Sequence, residues 1–122
     1  MSNGLFGDIT FLALSKALDG LSLRHEVISN NIANVNTPGF KAGEVSFEEA
    51  LKSALEEGEA ALARFRPRVE VAPLAYRVDQ NSVDIDREMG KLADNALTYN
   101  AVAELISARF RILGMAISEG RR

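Results

Sequence analysis

Apolar residues recur at alternating steps of three and four at both ends of this chain. Near the amino end the series runs Phe11, Leu14, Leu18, Leu21, His25, Ile28, Ile32, Val35. Near the carboxy end it runs Ile85, Met89, Leu92, Ala96, Tyr99, Ala103, Ile106, Phe110, Leu113, Ile117. Steps of this kind hold every member on one narrow stripe of an α-helix, the spacing of a coiled-coil seam rather than a broad globular face. The first stripe predicts a helix from about Ile9 to Val35 with Asp8 as its N-cap. At 1.5 Å per residue that helix is on the order of 40 Å long. The second predicts a helix opening near Val83. Asp84, Asp86 and Glu88 then sit in its first turn and Arg109 and Arg111 toward its far end, signs that suit the helix dipole. The expected fold is mainly α, with the two long terminal helices paired as an antiparallel coiled coil.

Residues 1–41 and 83–122 together form the expected coiled-coil domain, and 42–82 a short irregular insert. Within the insert, Ser46-Phe47-Glu48-Glu49 reads as a capping box that opens a short helix through about Arg64. Phe47, Leu51, Leu55 and Leu62 share one side of it, and Gly58 weakens its middle. From Arg64 to Pro73 the chain alternates and carries two prolines, which suits an extended edge segment. Asn81-Ser82 marks the turn into the last helix. Isolated helices owe most of their stability to packing, so the terminal helices are expected to firm up on assembly. A second apolar line, Leu97, Leu105, Ile112 and Met115, flanks the carboxy-terminal seam. One antiparallel partner leaves it uncovered, which on a small protein marks a face where another chain docks.

Chemistry of the enzymatic kind finds no foothold. His25 is the only histidine and lies on the apolar stripe without a second ligand at metal spacing, so a packed or interfacial role is expected. Ser15, Ser22 and Ser29 recur every seven residues as small groups beside the seam, with no base or nucleophile elbow near them. Gly4 and Gly7 are too close together for a phosphate loop. Asp84, Asp86 and Glu88 lack the glycine and distal glutamate of a calcium loop and are assigned to capping. No catalytic, cofactor-binding or metal site is therefore expected, and no small-molecule substrate. A net charge of −3, from 14 basic and 17 acidic residues, offers no footprint for nucleic acid. No apolar run approaches the roughly 20 residues of a transmembrane helix. Cysteine is absent, which removes disulfides, and Met1–Asp8 shows no basic leader, so no cleaved signal peptide is expected. Arg64, Arg66 and Arg68 alternate with Phe65, a pattern that fits a grip on an acidic partner and, ahead of it, a solvated edge strand.

Between the first helix and the insert stands the segment Asn30-Asn31-Ile32-Ala33-Asn34-Val35-Asn36-Thr37-Pro38-Gly39-Phe40-Lys41. Asparagine is a poor helix former because its amide competes for backbone bonds, so the cluster is read as polar groups displayed at a helix terminus. Pro38 and Gly39 suit the second and third positions of a type II turn. A turn alone needs Pro38 and Gly39 but not Asn31, Asn34 and Phe40. Asn31, Asn34, Thr37, Pro38, Gly39, Phe40 and Lys41 are therefore expected to form an assembly contact.

The series Asn31-x-x-Asn34-x-x-Thr37-Pro38-Gly39-Phe40-Lys41 resembles the amino-terminal signature of the bacterial flagellar rod and hook proteins. Val83-Asp84-Ile85-Asp86-Arg87-Glu88-Met89 through Leu113 is similar to the carboxy-terminal helix of the proximal rod branch of that family. The resemblance implies a structural subunit whose paired terminal helices line a hollow helical shaft in the periplasm. It also implies export without a cleaved signal. The implied partners are other copies of the chain, related rod proteins, the basal adaptor FliE, and membrane-ring and export-gate components. The competing reading from the residues is a cytosolic helical adaptor or regulator acting as a closed coiled-coil dimer.

Overall fold

Two long helices carry the chain and run in opposite directions. In a computed structural model, which describes residues 8–71 and 83–120, the elements follow as α1 (Asp8–Ala33), β1 (Gly43–Val45), α2 (Glu48–Glu57), α3 (Glu59–Arg64), β2 (Val69–Val71) and α4 (Ile85–Gly120). Three contacts set the direction of α1 against α4. Phe11 stacks on Phe110 at 5.1 Å, the carbonyl of Leu21 accepts from Asn95, and Asn31 donates to Glu88. Partners thus descend α4 as they ascend α1. Asp84 caps α4, its Oδ1 accepting from the backbone N–H groups of Asp86 and Arg87, as its position before the first turn predicts.

The face of α4 that meets α1 is not the one its apolar pattern favours. Glu88 and Asn95 are its buried residues, while Ile85, Met89 and Phe110 are 44%, 52% and 60% exposed. The less exposed side of α4 runs Glu88, Leu92, Asn95, Tyr99, Val102, Ile106, Arg109, Leu113, again in steps of four and three, and Phe110 beside it still reaches Phe11 of α1. It shares Leu92, Tyr99, Ile106 and Leu113 with the predicted seam and exchanges the rest for their neighbours. At 100° per residue the helix is turned by roughly 50° from the apolar optimum.

Polar bonds account for the turn. The Asn31 amide donates to Glu88 Oε1 at 2.9 Å and to the Gly43 carbonyl at 2.9 Å, and its Oδ1 accepts from Gly43 N–H at 2.9 Å. Lys91 adds an ion pair to the other oxygen of Glu88 at 3.1 Å. Asn31 and Glu88 are 1% and 3% exposed, and a buried carboxylate is tolerable only when it is bonded in this way.

The second face of α1 holds the insert. Leu21, Val45, Phe47 and Phe65 form the core, with Ala17, Leu51 and Val102 against it. Phe47 lies flat on α1 at Gly20, where a Cβ would fall 2.6 Å from its ring. Arg24, one turn on, covers the same ring at 4.8 Å and forks onto Glu48 with two bonds of 2.8 Å. That guanidinium holds the Glu48 carboxyl below its usual range, chiefly through the side-chain hydrogen bond.

β1 and β2 pair antiparallel with Gly43 opposite Val71, Glu44 opposite Glu70 and Val45 opposite Val69. The outer edge of β1 meets α1. Asn31 binds both backbone groups of Gly43, and Arg24 donates from Nε and Nη2 to the Val45 carbonyl. Two side chains seven residues apart on a helix thereby take the place of a third strand and cover an edge that is otherwise open to pairing. β2 is exposed along its length, which agrees with the edge segment expected there.

Several boundaries differ from expectation. α1 ends at Ala33, two residues early, because Asn34 and Val35 tighten the last turn onto the Asn31 and Ile32 carbonyls. The expected single helix from Ser46 to Arg64 is two helices, broken at Gly58 with φ 123°. Ser46 makes no cap. Phe47 occupies the N-cap position of α2 with no side-chain bond, since a phenyl ring has no acceptor to offer, and the ring packs on α1 at Gly20 instead. The Asn81-Ser82 turn lies outside the described residues.

Candidate assembly site

The turn after α1 has the conformation its residues predict. Phe40 N–H donates to the Thr37 carbonyl at 3.2 Å, and Gly39 has φ 78°, so Thr37-Pro38-Gly39-Phe40 is a type II turn. Nothing lies within 4 Å of a Cβ built on Gly39. Gly39→Val therefore meets no wall and should lose only the left-handed backbone, about 1–2 kcal/mol. Thermal unfolding of Gly39→Val beside Gly39→Asn checks this, because asparagine tolerates the same φ. Equal stability of Gly39→Val and the parent would show that the turn is not strained.

The asparagines divide into two groups. Asn31 points inward and clamps β1 to α4, as described above. Asn34 caps α1: its Nδ2 donates to the Asn30 carbonyl at 2.9 Å and to Asn30 Oδ1 at 3.2 Å, while its Oδ1 accepts from the Thr37 hydroxyl at 3.1 Å. These bonds give Asn31 and Asn34 structural work inside the chain, which the reading of a displayed cluster did not foresee. Asn36, Thr37, Pro38, Gly39 and Lys41 are exposed, and Phe40 is half-buried. This exposed tip is the part of the motif open to another molecule.

A longer surface opens along the seam. Of the predicted amino-terminal seam residues, Leu21 and Ile28 are buried, Leu14, Leu18 and Ile32 in α1 are half-buried, and Val35, just past the end of α1, is half-buried too. In α4, Leu92, Ile106 and Leu113 are half-buried, whereas Ile85, Met89, Tyr99 and Phe110 stand exposed. On the side of the seam opposite the insert, the helices leave two consecutive hollows. One, of about 290 Å³, is lined by Ser22, His25, Asn95, Ala96, Tyr99 and Asn100. The next, of about 410 Å³, is lined by Phe11, Ser15, Leu18, Asp19, Ser22, Tyr99, Ile106 and Phe110. Sharing Ser22 and Tyr99, they make one groove with an apolar floor and a serine rim. His25 is exposed on that rim rather than packed.

Gly20, Arg24, Glu88 and Asn95 were not anticipated as organising residues. The one sequence signal for the last two is their own seven-residue spacing, a polar stripe beside the apolar one. Among the described residues, no group of three or more His, Cys, Asp or Glu side chains is placed to hold a metal ion. No described helix is long and apolar enough to cross a membrane.

Comparison with known proteins bears on the whole surface. The family described as flagella basal body rod protein matches residues 11–41, which contain most of α1 and the entire turn motif. The flagellar basal body rod protein FlgB of Bacillus subtilis (strain 168) is 32% identical over 123 residues, covering 92% of this chain and 95% of its own length. FlgB of Yersinia enterocolitica is 33% identical, covering 86% of this chain and 90% of its own. FlgB of Escherichia coli (strain K12) is 30% identical with the same coverage, 86% and 90%.

Proposed function

The chain belongs to the flagellar basal body rod protein family, and from that premise we propose that it is the FlgB-type, proximal subunit of the rod. Its role is structural: copies of the chain and related rod proteins pack into a hollow helical drive shaft. The observation that carries the reading is the match to FlgB proteins over 86–92% of the chain, joined to a fold that leaves Ile85, Met89, Tyr99 and Phe110 on the apolar stripe of its longest helix exposed. No residue of α4 beyond Asn95 is fully buried within the described chain. A helix of this kind gains most from neighbours, so its far half firms up on assembly.

On this reading residues 1–41 and 83–122 are the shaft-forming domain, and the exposed tip Thr37–Lys41 and the insert make contacts beyond it. The neighbours are further rod subunits, with the basal adaptor FliE and the membrane-ring and export-gate components at the base. The subunit resides in the periplasmic rod and arrives there without a cleaved signal peptide.

Genetic complementation tests the proposal. The chain should restore rods and swimming to a bacterium lacking its own proximal rod protein. Leu18→Asp and Ile106→Asp should each abolish incorporation, because both residues line the groove and a carboxylate buried there without a partner costs several kcal/mol. Normal motility in either variant would remove the groove from the assembly. Failure of the parent chain to enter rods, together with a closed dimer in solution, would favour the cytosolic adaptor instead.

A further inference from the structure

α4 has two apolar faces and α1 covers neither completely. One is the stripe that walls the groove, through Tyr99, Ile106 and Phe110. The other is a ridge of Leu97, Leu105 and Met115, which are 72%, 55% and 62% exposed. Leu97 and Met115 lie about 160° around the helix from the α1-facing Asn95 and Leu113, and Leu105 lies about 80° from either pair, so the ridge spans the side and back of α4 as seen from α1. Eight of the eleven large apolar side chains exposed in the described chain belong to α4. Patches on that scale mark places where another chain docks.

We propose that the groove between α1 and α4 of one copy receives the Leu97–Leu105–Met115 ridge of α4 from a second copy. The inference rests on the rod-subunit reading and names which face meets which. Area selects the occupant. A two-fold contact of groove on groove would bury one face of α4 twice and leave every ridge in water. A two-fold contact of ridge on ridge would leave every groove open. A single type of contact covers both faces when it joins unlike ones, and it gives each copy one filled groove and one seated ridge. An interface of unlike faces does not close on itself unless its rotation happens to complete a ring, and otherwise it propagates as a helix. The groove also admits a helix sterically, since its rim carries Ser15 and Ser22, small side chains that allow close backbone approach. At its end Asn95 is 4% exposed, with Nδ2 bound to the Leu21 carbonyl and Oδ1 without a partner among the described residues.

The chain contains no cysteine, so introduced thiols report contacts without background. Ser15→Cys or Ser22→Cys places a thiol on the groove rim; Ala101→Cys or Ala108→Cys places one on the ridge. Mixing a rim variant with a ridge variant of the full chain under mild oxidation should give mixed dimers at concentrations where neither variant joins to itself. A chain carrying one rim and one ridge thiol should give a ladder of multimers. Predominant rim-to-rim dimers would overturn the proposal. So would the absence of every cross-link in a chain that still enters rods, which would leave the rod reading intact. A ladder from a chain whose parent never enters rods would keep the contact and overturn the rod reading.

Discussion

Gly20→Ala will destabilise this chain even though it removes a glycine from the middle of a long helix. In an open helix the exchange is favourable by about 1 kcal/mol. Here the added Cβ would stand 2.6–2.7 Å from three atoms of the Phe47 ring. The ring is 3% exposed, with Arg24 over its face. Overpacking of a full core costs about 1–3 kcal/mol, so the clash outweighs the propensity gain and the melting temperature should fall by several degrees. Phe47→Leu separates the causes. Alone it should destabilise by loss of ring packing, but in the Gly20→Ala background the added methyl should be tolerated or favourable. A double-mutant cycle with no coupling, or a rise in melting temperature for Gly20→Ala alone, would show that Phe47 does not depend on Gly20.

Asn31→Leu should cost more, about 3–5 kcal/mol, a large share of the roughly 5–15 kcal/mol that holds a domain folded. Leucine has similar bulk, so the loss is not a cavity. It comes from three groups that the amide serves together: Gly43 N–H, the Gly43 carbonyl and Glu88 Oε1. Urea denaturation should show a much lower midpoint. Glu88→Gln provides the contrast, because it keeps an oxygen for Asn31 and gives up only the attraction to Lys91, whose side chain is 31% exposed. That change should cost at most about 1 kcal/mol. Asn31→Leu combined with Glu88→Leu should recover part of the loss, since no carboxylate then remains buried with a missing donor. Near-parental stability in the Asn31→Leu single variant would mean that water or a shifted backbone already serves these groups.

The two long helices, the cap at Asp84 and the type II turn were legible because each depends on residues near one another in sequence. A repeat of three and four identifies a helix from its own side chains, and Pro38-Gly39 selects a turn from its own dihedrals. The rotation of α4 was hidden for the opposite reason. Counting apolar residues favours the stripe through Met89 and Phe110, but Glu88 and Asn95 find partners on α1 more than fifty residues away, at Asn31 and Leu21. Periodicity carries no information about such bonds. β1, three residues long, is too short to show alternation, and its existence depends on what α1 offers its edge. At the candidate site the exposed tip was readable from turn chemistry. The groove was not, because it exists only where the rotated α4 parts from α1.

The covering of β1 by Asn31 and Arg24 also orders events in time. A sheet of only two strands is marginal in water, and the outer edge of β1 is shielded only after the last turns of α1 have closed to aim those two side chains. Until then, Gly43–Val45 presents bare backbone to any extended segment nearby. Fraying at the carboxy end of α1 would therefore do more than loosen a helix. It would convert a local defect into a nucleus for strand-to-strand aggregation, so variants in this turn of α1 should be lost first to insolubility and only later to weakened assembly.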